Sequence, residues 1–150
     1  MMLKERLAVL NPATLEAGPE TDALVAECLG LVRDATDGLN PDKFTSFYTE
    51  VGGHIFAYTP TYNGHFGVSA NPGLAFSVLW PWLEECQNCI SLFRMGPGKG
   101  CPCIRMPFYR SRLESGETDL FITADTWALA LCRAVVAVAK EVVQAHETLG

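Results

Sequence analysis

A chain of 150 residues suits one domain with a proper hydrophobic core, held without metals or disulfides. With 49% hydrophobic and 19% charged residues it is a folding chain, not a disordered one. The net charge of -6 argues against a general nucleic-acid binder, and the longest apolar run, Ala128 to Ala139, carries Arg133 and falls short of the ~20 residues that span a bilayer.

Residues 1–10 predict a short helix, with Leu3, Leu7 and Leu10 on one side and Asn11-Pro12 as its stop. Lys4, Glu5 and Arg6 interrupt what would have to be the apolar heart of a signal peptide, so the expected setting is the cytoplasm. Glu20 to Arg33 predicts the first long helix, on a stripe of Leu24, Cys28 and Leu31 widened by Val25, Leu29 and Val32. Residues 34–50 read as a variable loop, rich in turn chemistry at Asp37-Gly38 and Asn40-Pro41 and tacked down by Phe44, Phe47 and Tyr48.

Gly52-Gly53 precedes a short strand, His54 to Tyr58, which Pro60 stops. Tyr62 to Gly67 reads as a second loop. Asn71-Pro72 is a helix start: a capping side chain, then a residue with no N–H to satisfy. The helix that follows carries Leu74, Phe76, Val78, Leu79, Trp80, Trp82 and Leu83, with Pro81 expected to end or kink it. Ile90 to Met95 and Cys103 to Arg110, joined by Gly96-Pro-Gly-Lys-Gly100, make the best hairpin, and Leu120 to Ile122 a third short strand. The closing helix is expected to begin near Thr123 or Asp125 and run to about Glu147. It is apolar almost all round, which makes it the hub of the core. The sum is an α+β fold in a single domain over 1–150: a small antiparallel sheet with a central hairpin, packed by three main helices.

Six cysteines need placing. In a reducing compartment disulfides are disfavoured, and Cys28 and Cys132 fit apolar helical patterns as small core residues. Cys86, Cys89, Cys101 and Cys103 have zinc-like spacing. A hairpin would place the two pairs at its opposite ends, roughly 15 Å apart at the rise of a strand, whereas zinc gathers its sulfurs at about 2.3 Å. The expectation is therefore no metal and no cofactor, with zinc or a redox pair as the alternatives.

Two places could meet an anion. In the segment Tyr62 to Asn71, free N–H groups at a helix start and the helix dipole suit a phosphate or carboxylate. Tyr62 and Phe66 could stack on a base, His65 could bind an anion, and Asn63, Ser69 and Asn71 could hydrogen-bond. The ordinary alternative is a capped helix with a packed loop. The second place is the hairpin, where Arg94, Lys99 and Arg105 supply charge and Arg105 shares a strand face with Tyr109. The ordinary alternatives are an exposed turn and a solvated strand face. Arg133, inside the apolar helix, needs a partner such as Asp125, Glu27 or a main-chain carbonyl. The three histidines are scattered, and no hydrolase elbow or zinc-protease spacing appears, so no catalytic residue is assigned.

Four features resemble a known family in their order and wording: Leu15-Glu-Ala-Gly-Pro-Glu-Thr-Asp-Ala-Leu-Val-Ala-Glu27, Ser69-Ala-Asn-Pro-Gly-Leu-Ala-Phe-Ser-Val-Leu79, the hairpin, and Ala124-Asp-Thr-Trp-Ala-Leu-Ala-Leu-Cys-Arg-Ala134. They resemble the phage ABA sandwich domain family and, more distantly, the NinX-like phage proteins. Phe76, where that family usually has tryptophan, and Pro81 depart from its pattern. The resemblance implies an α-β-α sandwich-like fold and a phage accessory protein in the host cytoplasm, and it brings no activity with it. The expectation is a non-enzymatic, homo-oligomeric binding protein that sequesters a nucleotide-like anionic ligand, such as a host defence signal. The alternative is a module that blocks a host protein through residues 34–50 and Trp80-Pro-Trp82.

Overall fold

The computed structural model describes residues 2–33, 46–86, 90–96, 98, 100–109 and 117–149, with the side chains at 107–109, 117–119 and 144–149 outside that description. The described residues form four helices and two small sheets, an α+β fold. No described helix is long and apolar enough to cross a membrane.

Helix α1 (Leu3–Val9) buries Leu7 and gives way to a single tight turn at Pro12–Thr14, where the Asn11 side chain accepts the Ala13 N–H at 3.1 Å. Helix α2 (Pro19–Cys28) is shorter than its apolar stripe predicts. The reason is Gly30, whose φ of +96° reverses the chain. The Leu31 N–H then reaches the Ala26 carbonyl and the Gly30 N–H reaches that of Glu27, both at 3.0 Å, which closes the helix end with a glycine cap. Val32 and Arg33 leave as a strand instead of continuing the helix.

That strand, β1 (Val32–Arg33), lies parallel to β2 (Phe47–Val51). Strand β3 (His54–Tyr58) folds back on β2, with Val51 opposite His54. Gly52 and Gly53 both have positive φ (60° and 79°), the requirement of a two-residue hairpin turn. The stretch 47–50, read from sequence as the end of a loop, is therefore strand. So is Asn63–His65, which forms β4 against β3 inside the segment read as a second loop. The first sheet runs β1-β2-β3-β4. One face buries Tyr48, Ile55 and Ala57, and α2 packs against β3.

Helix α3 (Pro72–Cys86) starts where Asn71-Pro72 predicts, with Asn71 Oδ1 accepting the Leu74 N–H at 3.1 Å. Pro81 does not end it. The ring sits at an exposed position, where the carbonyl it leaves without a helical partner is near water. Strands β5 (Ser91–Met95), β6 (Cys101–Tyr109) and β7 (Glu117–Thr123) form the second sheet in that order, all antiparallel. The single sheet expected from sequence is thus two.

Helix α4 (Trp127–Leu149) joins the parts. Its cap is Thr126, not Thr123 or Asp125: Thr126 Oγ1 accepts the Leu129 N–H at 3.2 Å. The helix packs on α1, α2 and α3 and on β6 and β7. Ala128 to Cys132 and Ala134 to Val138 are buried, as an all-round apolar surface requires. Arg133 finds carbonyls: Nε and Nη2 donate to Leu15 O at 3.0 and 2.6 Å, and Nη1 to Thr123 O at 2.8 Å. Lys140 Nζ donates to Leu10 O at 2.6 Å. The two cations strap the link between α1 and α2 onto α4.

Burial pushes the Cys28 thiol up from 9.0 to about 12, with the Glu27 carboxylate adding to it. The Tyr48 phenol rises from 10.0 to about 12, chiefly by burial and then by Glu27. Both groups hold their protons more tightly folded than unfolded. Their stabilising contribution is complete below pH 9 and is lost as pH rises from 9 towards 12. The melting temperature is expected to fall steeply between pH 9 and 11, and less steeply in Cys28→Ala. A flat profile over that range in calorimetry contradicts this assignment.

Candidate ligand-binding face

The face of the first sheet opposite Tyr48 and Ile55 carries Phe47, Thr49 and Val51 from β2, His54, Phe56 and Tyr58 from β3, and Asn63 and His65 from β4. Alternation along each strand and the pairing register put these residues on one side: Phe47 opposite Tyr58, Tyr58 opposite Asn63, and Thr49 opposite Phe56, itself opposite His65. Their rings touch. Phe47 stacks on Tyr58 with centroids 5.0 Å apart and planes 21° from parallel. His65 meets Phe56 edge-on at 5.6 Å and His54 at 5.4 Å. Val51, His54, Tyr58, Asn63 and His65 are exposed, while Phe47 and Phe56 are half-buried. Five rings on one sheet face, in two contacting groups and open to water at several points, form a surface on which a planar ligand can stack.

The sequence-predicted residues divide into those this face uses and those the fold uses. His65 and Asn63 lie on it. Tyr62 buttresses it from the loop: its hydroxyl donates to the His65 carbonyl, and its ring lies 6.4 Å from Phe66. Turned so that its nitrogen faces the loop, the Asn63 amide donates to the carbonyls of Tyr62 (3.0 Å) and Thr59 (3.2 Å). Phe66 is 1% exposed and belongs to the core. Asn71 caps α3, so one N–H at that helix start already has an acceptor.

Ser69 is also built in. Its hydroxyl bridges the Gly18 N–H (2.9 Å) and the Gly18 carbonyl (3.3 Å), and its own N–H donates to Asp22 Oδ1 at 2.8 Å. These contacts fasten the turn before α3 to the start of α2. Ser69, Asp22 and His65 have the composition of a hydrolytic triad but not its order, because the carboxylate meets the serine directly, with no imidazole between them. Desolvation raises the Asp22 pKa above 3.8, and its hydrogen bonds to Ser69, then the nearby His65, pull it down in part. The folded state therefore binds this proton more tightly. The Asp22 contribution to stability is complete below pH 3.8 and declines as pH rises through the folded value. Asp22→Ala leaves the Ser69 N–H without an acceptor and is expected to cost about 1–3 kcal/mol in urea denaturation. Asp22→Asn keeps an acceptor and is expected to restore most of that. Equal losses in the two variants contradict the role.

The predicted cations lie on the other sheet. Arg94 (β5) donates from Nη1 to Gly100 O at 3.2 Å and covers the Trp127 ring at 5.6 Å. Trp127 in turn contacts Phe76 at 6.2 Å. Arg105 is exposed on β6, opposite Ser91 and Phe121. Lys99 and the side chain of Tyr109 lie outside the described residues, as do Arg110, Arg112 and Cys89 and most of the loop 34–50. Trp80 and Trp82 are half-buried against the core.

Clefts among the described residues flank these elements. One of about 420 Å³ reaches Tyr62 and Phe66 and is otherwise lined by Thr59, Thr61, Ser46, Ser77 and apolar side chains, with no described cation. One of about 470 Å³ holds Arg6, Glu20, Glu27, Arg33, Tyr48 and Glu50. There Arg6 pairs with Glu27 at 2.7 Å and Arg33 with Glu50 at 3.8 Å, so its charges largely satisfy one another. A third, of about 550 Å³, follows the link from Leu10 to Thr21.

The described cysteines do not converge. Cys101 is exposed and Cys103 buried on β6, Cys86 ends α3, and no three metal-type side chains group together among the described residues. Burial holds the Cys86, Cys103 and Cys132 thiols above their usual range, the reverse of what a thiolate nucleophile needs.

Comparison of the chain with protein-family models, with curated proteins and with solved structures finds no match.

Proposed function

We propose that this chain is a non-enzymatic phage accessory protein that binds a planar, nucleotide-like anionic ligand on the aromatic face of β2, β3 and β4. The observation that carries this reading is the row Phe47–Tyr58, Phe56, His65, His54. The rings are mutually braced, so little side-chain freedom is lost when a base stacks on them. The phage assignment rests on the four motifs resembling the ABA sandwich domain family. Sequestration of a host defence signal in the host cytoplasm fits a small binding body to which no catalytic residue is assigned.

A panel of nucleoside monophosphates, cyclic dinucleotides and uncharged nucleosides, screened by thermal shift and calorimetry, tests the reading. At least one phosphorylated member should bind. Stacking on one ring contributes about 1–3 kcal/mol, so Phe56→Ala and Tyr58→Ala should each weaken that ligand by roughly 5- to 150-fold. No binding across the panel sinks the reading.

A second reading, a module that blocks a host protein, has one observation in its favour. The outer side of the second sheet exposes Met95 (51%) and Phe121 (58%) beside half-buried Phe93. Exposed aromatic and methionine side chains are common anchors of protein interfaces.

A further inference from the structure

Among the described residues, the aromatic face carries no lysine or arginine, and its nitrogen bases are His54 and His65. Their spacing has a chemical meaning of its own. A metal bound at about 2.0–2.1 Å from an imidazole nitrogen lies about 3.2 Å from the ring centre, so two imidazoles on one tetrahedral ion have centres about 5.2 Å apart. The observed separation is 5.4 Å, with the ring planes 64° apart. We propose that His54 and His65 form a two-histidine site for a divalent transition metal of borderline softness, of the zinc, nickel or copper class.

Three features support the site. Neither ring has a hydrogen-bond partner among the described residues, so the nitrogens are not committed elsewhere. The nitrogen-bearing edge of His65 rests over Gly67: a Cβ there would stand 2.5 Å from Cε1 and 3.1 Å from Nδ1, so the glycine makes room for the ring. Both imidazoles are exposed, which leaves the remaining coordination positions to water or to an oxygen of a ligand. The metal site stands on this geometry alone. Its use as an anchor for a phosphate rests on the function proposed above, since the ion would supply the positive charge that the described residues of the face lack.

The test is calorimetric titration of the full chain with Ni²⁺ and Zn²⁺, without nucleotide. The expected result is one ion per chain, weakened at least tenfold in His54→Ala and in His65→Ala. Gly67→Ala, which displaces one ring while keeping both, should also weaken it. Circular dichroism checks that each variant folds. Wild-type affinity in both histidine variants overturns the proposal, as does the absence of binding to the unsubstituted chain, and binding lost only with Cys86 or Cys101 does the same. A repeat of the nucleotide panel with the ion present separates the two ideas. Tighter phosphate binding supports both, whereas metal binding with no effect on any nucleotide keeps the metal site and removes its role as an anchor.

Discussion

Leu131→Ala is expected to destabilise the protein by about 2–5 kcal/mol, the range for emptying a leucine site that cannot collapse. Leu131 is fully buried in the first half of α4, flanked on its own helix by the buried Ala128, Cys132, Ala134 and Val135, and it shares the core with Leu79 and Leu83 of α3, on which α4 packs. The alanines at 128, 130 and 134 let the partners of α4 approach closely, so little slack is available to refill the space. For a domain of this size such a loss is a large share of the total stability. Urea denaturation measures it through the midpoint at unchanged slope. A loss below about 0.5 kcal/mol, the usual scale of surface changes, contradicts the place given to this helix.

Arg133→Ala is expected to cost about 2–3 kcal/mol, because the guanidinium serves carbonyls from two distant parts of the chain and its removal takes three charge-assisted hydrogen bonds from them. Leu15 O accepts two of its N–H groups, and Thr123 O, at the end of β7, accepts a third. The planar fork matters. A lysine offers one charged tip and cannot span both oxygens, so Arg133→Lys should recover only part of the loss. The same substitution should loosen the link between α1 and α2, detectable as faster proteolysis within residues 10–18. If Arg133→Ala and Arg133→Lys are both as stable as the parent, the strap has no energetic role.

Much of this architecture is legible in the sequence because local chemistry and burial agree there. Asn71-Pro72 predicts the start of α3, and the apolar surface of 128–139, interrupted by Arg133, requires burial on most sides. The hairpin turns on its run of glycines. The misreadings occur where one residue overrides a longer pattern. The stripe through Leu24, Cys28 and Leu31 extends past the true end of α2 because Gly30 reverses the chain inside it. The turn at Gly52-Gly53 identifies a hairpin only when both flanks are read as strands, and the flank 47–51 is hidden by the turn-rich stretch before it.

The site was legible in fragments. His65 and Asn63 lie on the face proposed for binding, while Phe66, Ser69 and Asn71 have the side chains a ligand would want and are consumed by packing and capping. Burial and prior hydrogen bonds decide that difference, and neither is visible in a motif. Phe47, His54, Phe56 and Tyr58 were missed as a group because their proximity depends on cross-strand register. One signal existed: with the Gly-Gly turn placed, alternation through 47–51 and 54–58 puts all four on one side.

Backbone NMR of the ¹⁵N-labelled chain, titrated with the tightest phosphorylated ligand from the panel, tests the central claim most directly. The account predicts that the largest shift changes fall on residues 47–58 and 63–65, with 91–95 and 101–105 nearly unmoved. Changes centred on the second sheet or on the link 10–18, at saturating ligand, would contradict it.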